Sequence, residues 1–207
     1  MKKVACRCEM VVEIDASDTI DLDADKNGLI RLSEGCVPSV VCPRCGAIVK
    51  TELPLHVIST QRGIDIVVLS ELERLSVYRG KPSDSGSGEI LLGFQELFER
   101  ARMLRDDLDS KVVETLKYVL QSKAEESEPE ADITVLYNGK VSGALEFHIL
   151  GLKSGQAGVI KIPEATYTRS ARQMGTIETK EPYASIFSGR YQSIKKLGFL
   201  ESTTVSK

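Results

Sequence analysis

The sequence predicts an α+β fold, in which a β-rich N-terminal lobe precedes a helical hairpin and a small C-terminal α/β domain. Three observations predict it. Paired cysteines near the N-terminus are flanked by β-branched residues, which favour strands. Apolar residues between 94 and 120 recur at helical spacing, and residues after 130 alternate between apolar and polar as in strands. A composition of 42% apolar and 28% charged residues is typical of a folded protein with one large or two small domains.

The N-terminal lobe is predicted to hold short strands joined by tight turns. Its β-branched stretches predict one strand over residues 3–15, two short strands in residues 39–53 and a further strand at residues 64–69. The second stretch is expected to fold back on itself at Pro43–Gly46, where Gly46 supplies the positive φ of a tight turn. Ser70, with Glu73 three residues later, matches a capping box and predicts a short helix that runs to about Arg79.

A helical hairpin is predicted after a Gly/Ser-rich linker at residues 80–88 and a small strand at 89–93. The first helix is indicated by an apolar face at helical spacing: Phe94, Leu97, Phe98, Ala101 and Leu104. Asp109 is expected to cap the second helix. Its apolar face holds Val112, Val113, Leu116, Val119 and Leu120. The acidic run that contains Pro129 ends this helix, which gives a domain of residues 1–126.

The C-terminal α/β domain is predicted to span residues 131–202. Residues 133–137 alternate as in a strand, and Asn138-Gly139 is a strong hairpin turn signal. Further strands are expected at residues 144–150 and 158–162, and helices at 164–174 and 189–199. Residues 203–207 are predicted to form a disordered tail.

Four of the five cysteines form two close pairs. In the segment Cys42–Gly46, the two residues between Cys42 and Cys45 let both sulfurs face one point. Cys6 and Cys8 lie at i and i+2, so an extended strand would project both sulfurs from one side. A set of four cysteines is a common tetrahedral ligand set for structural zinc. The predicted ligands of one Zn²⁺ in a zinc-ribbon-like lobe are therefore Cys6, Cys8, Cys42 and Cys45.

The interval between the two pairs, residues 9–41, exceeds the roughly 15–20 residues usual in a zinc ribbon, so it must form an inserted element. A closed four-thiolate site leaves no coordination position for catalysis. Two alternatives stay open: four buried cysteines without a metal, and a redox pair, although a β-like run follows Gly46 where a redox pair prefers a helix. Cys36 reads as a small core residue that could replace Cys6 or Cys8 as a ligand.

The cysteine motif carries a family resemblance. Residues 1 to about 120 resemble the bacterial CpXC domain family, named for two Cys-Pro-X-Cys motifs, of which the second stands here as Cys42-Pro43-Arg44-Cys45. Leu53-Pro54-Leu55 and the helical stretch ELFERARMLRDDLDSKVVETLKYVL are similar to the family as well. The first motif departs from the pattern, because Cys6-Arg7-Cys8 takes its place. The resemblance implies that the cysteines bind metal, and it implies no established activity.

A calcium site is suggested by residues 23–34, DADKNGLIRLSE, which match an EF-hand loop. The ligand positions would be Asp23, Asp25, Asn27 and Glu34. The flanking sequences do not read as the two helices that such a loop needs. The alternative is a short helix that is capped by Asp23 or Asp25 and ends at Gly35.

The net charge of −3 is unevenly distributed, and this bears on the expected partners. Residues 61–130 hold 10 basic and 15 acidic side chains, whereas residues 131–207 hold 10 and 6. The acidic middle argues against general nucleic-acid binding. The basic C-terminal third leaves a local nucleic-acid contact open through Arg190, Lys195 and Lys196. Another protein is the preferred partner.

A cytoplasmic location without a membrane partner is expected. No apolar run approaches the roughly 20 residues that span a bilayer, and the N-terminal residues lack the apolar stretch of a signal peptide. Cysteines stay reduced in the cytoplasm, which favours metal binding over disulfides.

The sequence predicts a zinc-stabilised, non-enzymatic binding or adaptor protein, since it contains no nucleophile motif, acid/base constellation or nucleotide-binding fingerprint. The two histidines, His56 and His148, each read as structural or surface residues. A nucleic-acid-binding zinc ribbon is the first alternative. The second is an enzyme whose site in the C-terminal domain would need a deep polar pocket with His148 or Tyr167.

Overall fold

The computed structural model describes residues 1–153 and 155–199. Its architecture is α+β, as the sequence predicts: strands dominate the N-terminal part, helices follow, and a sheet with further helices completes the chain. The chain packs as two compact units, Met1–Phe98 and the residues from Glu99 onward. The tail predicted at residues 203–207 lies outside the described residues. No helix of the described residues is long and apolar enough to cross a bilayer.

The first unit begins with two small hairpins that are separated by a strand and a short helix. Its first six elements are β1 (Lys2–Ala5), β2 (Val11–Ile14), β3 (Thr19–Asp21), α1 (Gly28–Ser33), β4 (Ser39–Val41) and β5 (Ile48–Lys50). β1 pairs with β2, and β4 pairs with β5, both in antiparallel register. The β4–β5 hairpin confirms the two strands predicted in residues 39–53. The single strand predicted over residues 3–15 is wrong, because a turn at Cys6–Met10 divides it.

A four-stranded sheet with the order β3-β6-β7-β8 forms the rest of this unit. Its remaining strands are β6 (Leu55–Ser59), β7 (Ile64–Leu69) and β8 (Glu89–Leu92). β6 and β7 are antiparallel, whereas β3 is parallel to β6 and β8 is parallel to β7. The parallel β7–β8 pair requires a crossover connection. That connection holds a 3-10 turn, Glu71–Glu73, α2 (Arg74–Tyr78) and the predicted linker at residues 80–88.

The predicted helical hairpin is confirmed by α3 (Gly93–Arg105) and α4 (Ser110–Ser127). The Asp109 side chain caps α4 by accepting the N–H of Lys111, as expected. The division between the compact units falls inside α3, whereas the sequence predicts a domain boundary at residues 126–131. The reason is that α4 packs on the C-terminal sheet, where Val113, Leu116 and Leu120 belong to the same buried cluster as its strands.

The second unit is built on an antiparallel meander of β9 (Thr134–Val141), β10 (Ala144–Leu150) and β11 (Gly158–Pro163). The hairpin turn predicted at Asn138-Gly139 is wrong, because both residues lie inside β9. The turn is made by Ser142 and Gly143, which have φ values of 50° and 74°. A register shift in the β9–β10 pairing occurs next to Asn138.

Two helices and a 3-10 turn complete the second unit: α5 (Glu164–Ile177), α6 (Tyr183–Ile186) and Ile194–Lys196. The helix predicted at 164–174 is confirmed and runs three residues further. The helix predicted at 189–199 is wrong in its first half, because residues 189–193 are not helical. A buried cluster joins these elements to α4 through Val112, Met174, Ile186, Phe187 and Ile194.

Candidate metal centre

The structure brings the sulfurs of Cys6, Cys8, Cys42 and Cys45 together. All four Sγ atoms lie within 4.8 Å of one another. The Cys6 and Cys45 sulfurs are 3.5 Å apart, and those of Cys8 and Cys42 are 3.6 Å apart. Four thiolates bound to zinc at about 2.3 Å would lie about 3.8 Å apart in a tetrahedron. The donor set and its spacing therefore suit a metal such as zinc.

The second pair is held by the turn between β4 and β5. The N–H of Gly46 donates to the Cys42 carbonyl at 2.9 Å, and Gly46 has the positive φ, 70°, that the sequence predicts. Backbone N–H groups of Arg44 and Cys45 point at the Cys42 sulfur, and that of Ala47 points at the Cys45 sulfur. Such N–H groups stabilise thiolates, so the loop is preorganised for anionic sulfur.

The first pair is presented by a turn, which corrects the prediction that an extended strand projects both sulfurs. The N–H of Cys6 donates to the Met10 carbonyl, and the N–H of Glu9 donates to the Cys6 carbonyl, each at 2.8 Å. Glu9 adopts a positive φ of 66° to close this turn. The Arg44 guanidinium donates to the Cys8 carbonyl at 3.1 Å, so the second turn is tied directly to the first.

Burial differs among the four thiols. The exposed fractions of Cys6 and Cys42 are 5% and 1%, whereas Cys8 is half-buried and Cys45 is exposed. The two buried cysteines belong to the small core of the two hairpins, which also contains Val4, Val12, Ile14 and Val49. The sulfur cluster thus forms one end of that core and has one side open to water.

The thiol environments separate the pKa values of the two buried cysteines. Burial raises the pKa of Cys42, but backbone N–H groups, that of Cys45 foremost, and neighbouring thiols outweigh it and hold the pKa at about 6. For Cys6, the backbone N–H of Cys8 lowers the pKa, but burial and hydrogen bonds with the other thiols outweigh this and raise it to about 11. The Cys42 sulfur is therefore anionic at neutral pH, whereas the Cys6 sulfur keeps its proton.

The inserted element predicted between the two cysteine pairs is confirmed. Residues 9–41 contain β2, β3, α1 and β4, and β3 joins the four-stranded sheet. Cys36 lies in this insertion and is not part of the sulfur cluster. The prediction that it is a small core residue is wrong, because its side chain is exposed. The structure thus gives no reason for Cys36 to replace Cys6 or Cys8.

The EF-hand hypothesis is not supported, because the local match does not gather its ligands. The Asp23 carboxylate accepts the N–H groups of Thr60 and Gln61 at 2.8 and 3.1 Å, and Asp25 pairs with Arg31. Glu34 follows α1 as an exposed residue. Within the described part of the chain, the cysteines form the one His/Cys/Asp/Glu group with metal-binding geometry.

The alternative that the sequence offers for this segment, a short helix, is confirmed as α1. Gly35 ends it as expected: its φ is 84°, and the N–H of Cys36 donates to the Arg31 carbonyl at 2.9 Å. The expected Asp cap is wrong, because Asn27 holds the N-cap position and makes no side-chain cap.

The residues considered for a C-terminal enzyme site have structural partners. The His148 imidazole lies 3.1 Å from the Glu146 carboxylate on the outer face of β10 and is half-exposed. The Tyr167 hydroxyl accepts the N–H of Asp109 at 2.8 Å, at the start of α4. His56 is half-buried on β6. These positions agree with the structural or surface roles predicted for the two histidines.

Lys196 is buried, and sequence reasoning placed it in a surface cluster instead. Its Nζ donates to the carbonyls of Ser188 and Tyr191 at 2.8 and 3.2 Å. Burial lowers its pKa to about 8. Only Arg190 and Lys195 of the basic cluster are at least partly accessible.

Replacing Lys196 by Met is expected to flatten the pH dependence of stability between about pH 8 and 10.4. The unfolded chain keeps its lysine protonated up to a pKa of about 10.4, whereas the folded state releases the proton near pH 8. The folded state binds fewer protons in that window, so wild-type stability should rise with pH there. Urea titrations across the window, with Lys195→Met as the control, measure this. Equal slopes in both variants would contradict it.

A buried ion network in the second unit was missed by the sequence analysis. The Lys117 ammonium lies 2.6 Å from Glu114 and 3.0 Å from Glu99. The remaining carboxylate oxygens accept the N–H groups of Ile194 and Tyr137, at 2.9 and 2.7 Å. Every member is buried and partnered, so the network orders this unit without offering a reactive group.

Comparison with known proteins covers the segment that holds the sulfur cluster. A family model described as CpXC protein matches residues 4–117, which include all four clustered cysteines. An "Uncharacterized protein" of Treponema pallidum (strain Nichols) is 24% identical over 217 residues and covers 95% of this chain and 98% of its own length. No solved structure matches the chain. The matched segment extends beyond the first compact unit and ends within α4. The chain belongs to the CpXC protein family.

Proposed function

We propose that this protein is a zinc-stabilised, non-enzymatic binding or adaptor protein of the cytoplasm. The convergence of four cysteine sulfurs within 4.8 Å carries the proposal. Zinc bound by Cys6, Cys8, Cys42 and Cys45 would have four protein ligands and no open position, which is the arrangement of a structural site. The metal would supply folding energy to the hairpins and leave other surfaces for binding.

The positions of the remaining polar groups support binding over catalysis. His148 pairs with Glu146, and the Tyr167 hydroxyl accepts the N–H of Asp109, so both have structural partners. A nucleic-acid-binding function is less well supported, because Lys196 is buried and its charge is not available to phosphates.

Elemental analysis of purified protein, combined with affinity capture, tests the proposal. The wild type is expected to hold one zinc per chain, and Cys42→Ser is expected to hold none. Cys36→Ser removes the exposed fifth cysteine and serves as the matched control, which should keep one zinc. Captured protein partners would support the adaptor role. Captured nucleic acid whose binding weakens steeply with salt would instead favour the nucleic-acid function.

Zinc binding at pH 7 is expected to release protons, and its affinity should fall as the pH falls. The raised pKa of Cys6, about 11, means that this thiol is protonated at pH 7 before the metal arrives. Zinc must displace that proton. Cys42, with a pKa of about 6, is already mostly deprotonated at this pH and therefore releases few protons. Calorimetric titration in buffers of different ionisation enthalpy measures the released protons. A binding heat that does not depend on the buffer would contradict this expectation.

A further inference from the structure

The insertion between the cysteine pairs forms a groove. A cavity of about 480 Å³ is lined by residues between Asp15 and Pro38, all of which lie within the insertion. β3 contributes Thr19, Ile20 and Asp21 to the lining, and α1 contributes Gly28, Arg31 and Leu32. The volume is within the range of about 300–1,000 Å³ that is usual for ligand pockets. The groove thus has a strand and a helix in its walls.

The strand in this wall is an edge strand. Among the residues that the structure describes, β3 pairs with β6 alone. The bonds to β6 use even-numbered residues of this segment: the N–H of His56 donates to the Asp18 carbonyl, and the N–H of Leu22 donates to the Ile58 carbonyl. The odd-numbered residues therefore direct their backbone groups away from the sheet. The Thr19 N–H is taken by the Ser17 hydroxyl and the Asp21 carbonyl by the N–H of Asp25. The Thr19 carbonyl and the Asp21 N–H remain on the outer side.

These two backbone groups match one residue of an added strand. In a parallel pair, the added residue that lies opposite Ile20 donates its N–H to the carbonyl of the residue before Ile20. The carbonyl of the added residue accepts the N–H of the residue after Ile20. The carbonyl is that of Thr19 and the N–H is that of Asp21. Peptides bind other proteins by this kind of strand addition at an exposed edge.

The charge of the lining indicates what kind of peptide fits. Asp15, Asp21 and Asp25 line the groove together with one cation, Arg31, which already pairs with Asp25. The Asp21 carboxylate also accepts the N–H groups of Asp23 and Ala24, at 2.8 and 3.3 Å. Two negative charges are therefore left over in the lining. The Asp15 side chain is exposed and makes no ion pair among residues 1–153 and 155–199. The apolar part of the wall includes Ile20 and the buried Leu32.

We propose that the groove between β3 and α1 binds an extended peptide segment of a partner protein, parallel to β3, with a Lys or Arg side chain among its carboxylates. The inference rests on the proposed binding function and names the partner's chemistry. Zinc would hold both ends of the insertion, because Cys8 precedes it and Cys42 follows it. The groove is therefore expected in the zinc-loaded protein.

Binding of defined pentapeptides to the zinc-loaded full chain tests the proposal. The probe is fluorescein-labelled Ser-Val-Lys-Val-Ser with an amidated C-terminus, compared with the same peptide carrying Glu at its centre and with one whose central nitrogen is methylated. The Lys peptide should bind saturably and shift the amide resonance of Asp21. The Glu peptide should not bind, and loss of the central N–H should weaken binding about tenfold. Spermidine in place of peptide distinguishes a free organic cation, which would not need the backbone groups.

Charge reversal at Asp15 locates the site. Asp15→Lys should weaken Lys-peptide binding about fivefold, whereas Glu13→Lys, an exposed residue outside the lining, should leave it unchanged. Equal effects of the two variants, or spermidine binding as tightly as the peptide, would overturn the proposal. Failure of all peptides to bind zinc-loaded protein would also overturn it. That result would not count against the proposed zinc site, because the metal content is measured in a separate experiment.

Discussion

Removing zinc with a tight chelator is expected to unfold the two N-terminal hairpins, β1–β2 and β4–β5. Their shared core has six buried residues, and two of these, Cys6 and Cys42, belong to the sulfur cluster. Structural zinc contributes on the order of 10–16 kcal/mol in small zinc domains, whereas whole domains are stable by about 5–15 kcal/mol. The packing of the two hairpins alone cannot compensate for the loss of this much folding free energy. Hydrogen exchange read by mass spectrometry should show lost protection in residues 1–14 and 39–50.

Two variants make this result specific. Cys42→Ser should reproduce the effect of the chelator without any chelator present, because it removes a buried ligand position. Cys36→Ser should keep wild-type protection, since Cys36 is exposed and outside the cluster. Hairpins that stay protected in protein shown to contain no metal would contradict the structural role of the site.

Replacing Lys117 by Met is expected to destabilise the second unit by about 3–5 kcal/mol, the usual loss when one partner of a buried ion pair is removed. The side chains of Lys117, Glu99 and Glu114 are 2%, 5% and 7% exposed. Without the ammonium, two carboxylates remain buried next to each other. Urea unfolding followed by circular dichroism measures the loss.

The loss should shrink as the pH falls. Burial already raises the pKa of Glu99 above its ordinary value, and Lys117 is the group that opposes this rise most. A carboxyl whose folded pKa is raised keeps its stability at low pH, where it is protonated in both states, and loses it as the pH rises through the folded pKa. The variant should therefore be closest to wild type in acid.

Lys111→Met is the matched control, because it makes the same substitution on the same helix. Lys111 pairs with Glu178 at 2.7 Å, but both side chains are more than a third exposed, at 35% and 37%. Such a pair contributes about 0–1 kcal/mol. Adding Glu99→Gln and Glu114→Gln to Lys117→Met should restore most of the loss, since glutamine still accepts the backbone N–H groups. Equal losses for Lys117→Met and Lys111→Met would disprove the network's role.

Short-range patterns predicted much of this fold. The helical hairpin, the Asp109 cap and the turn at Pro43–Gly46 each depend on residues a few positions apart, and the structure confirms them. The turn at Cys6–Met10 was missed because its positive φ belongs to Glu9, a residue type that seldom adopts it. Here the pairing of β1 with β2 outweighs local preference.

Contacts between distant residues account for the other differences. Asn138-Gly139 is a good turn sequence, but the buried row of Tyr137 and Phe147 fixes the register of β9 and β10 and moves the turn to Ser142-Gly143. The EF-hand match specifies only a loop, whereas ligand convergence needs flanking helices. In the structure, Asp23 instead accepts the N–H groups of Thr60 and Gln61, which are distant in sequence.

The burial of Lys117 could not be predicted from the sequence. A charged residue on an amphipathic helix is ordinarily exposed, and the groups that satisfy Lys117 come from Glu114 on its own helix and Glu99 on another. The cysteine site was recognisable because metal ligands must be particular residue types, so two pairs stand out even across an insertion.

X-ray absorption at the zinc edge of the purified, unmodified protein tests the central claim most directly. The sulfur geometry predicts one zinc surrounded by four sulfurs at about 2.3 Å, with no nitrogen or oxygen neighbour. A shell of mixed sulfur and nitrogen or oxygen ligands, or a protein isolated intact without metal, would contradict it.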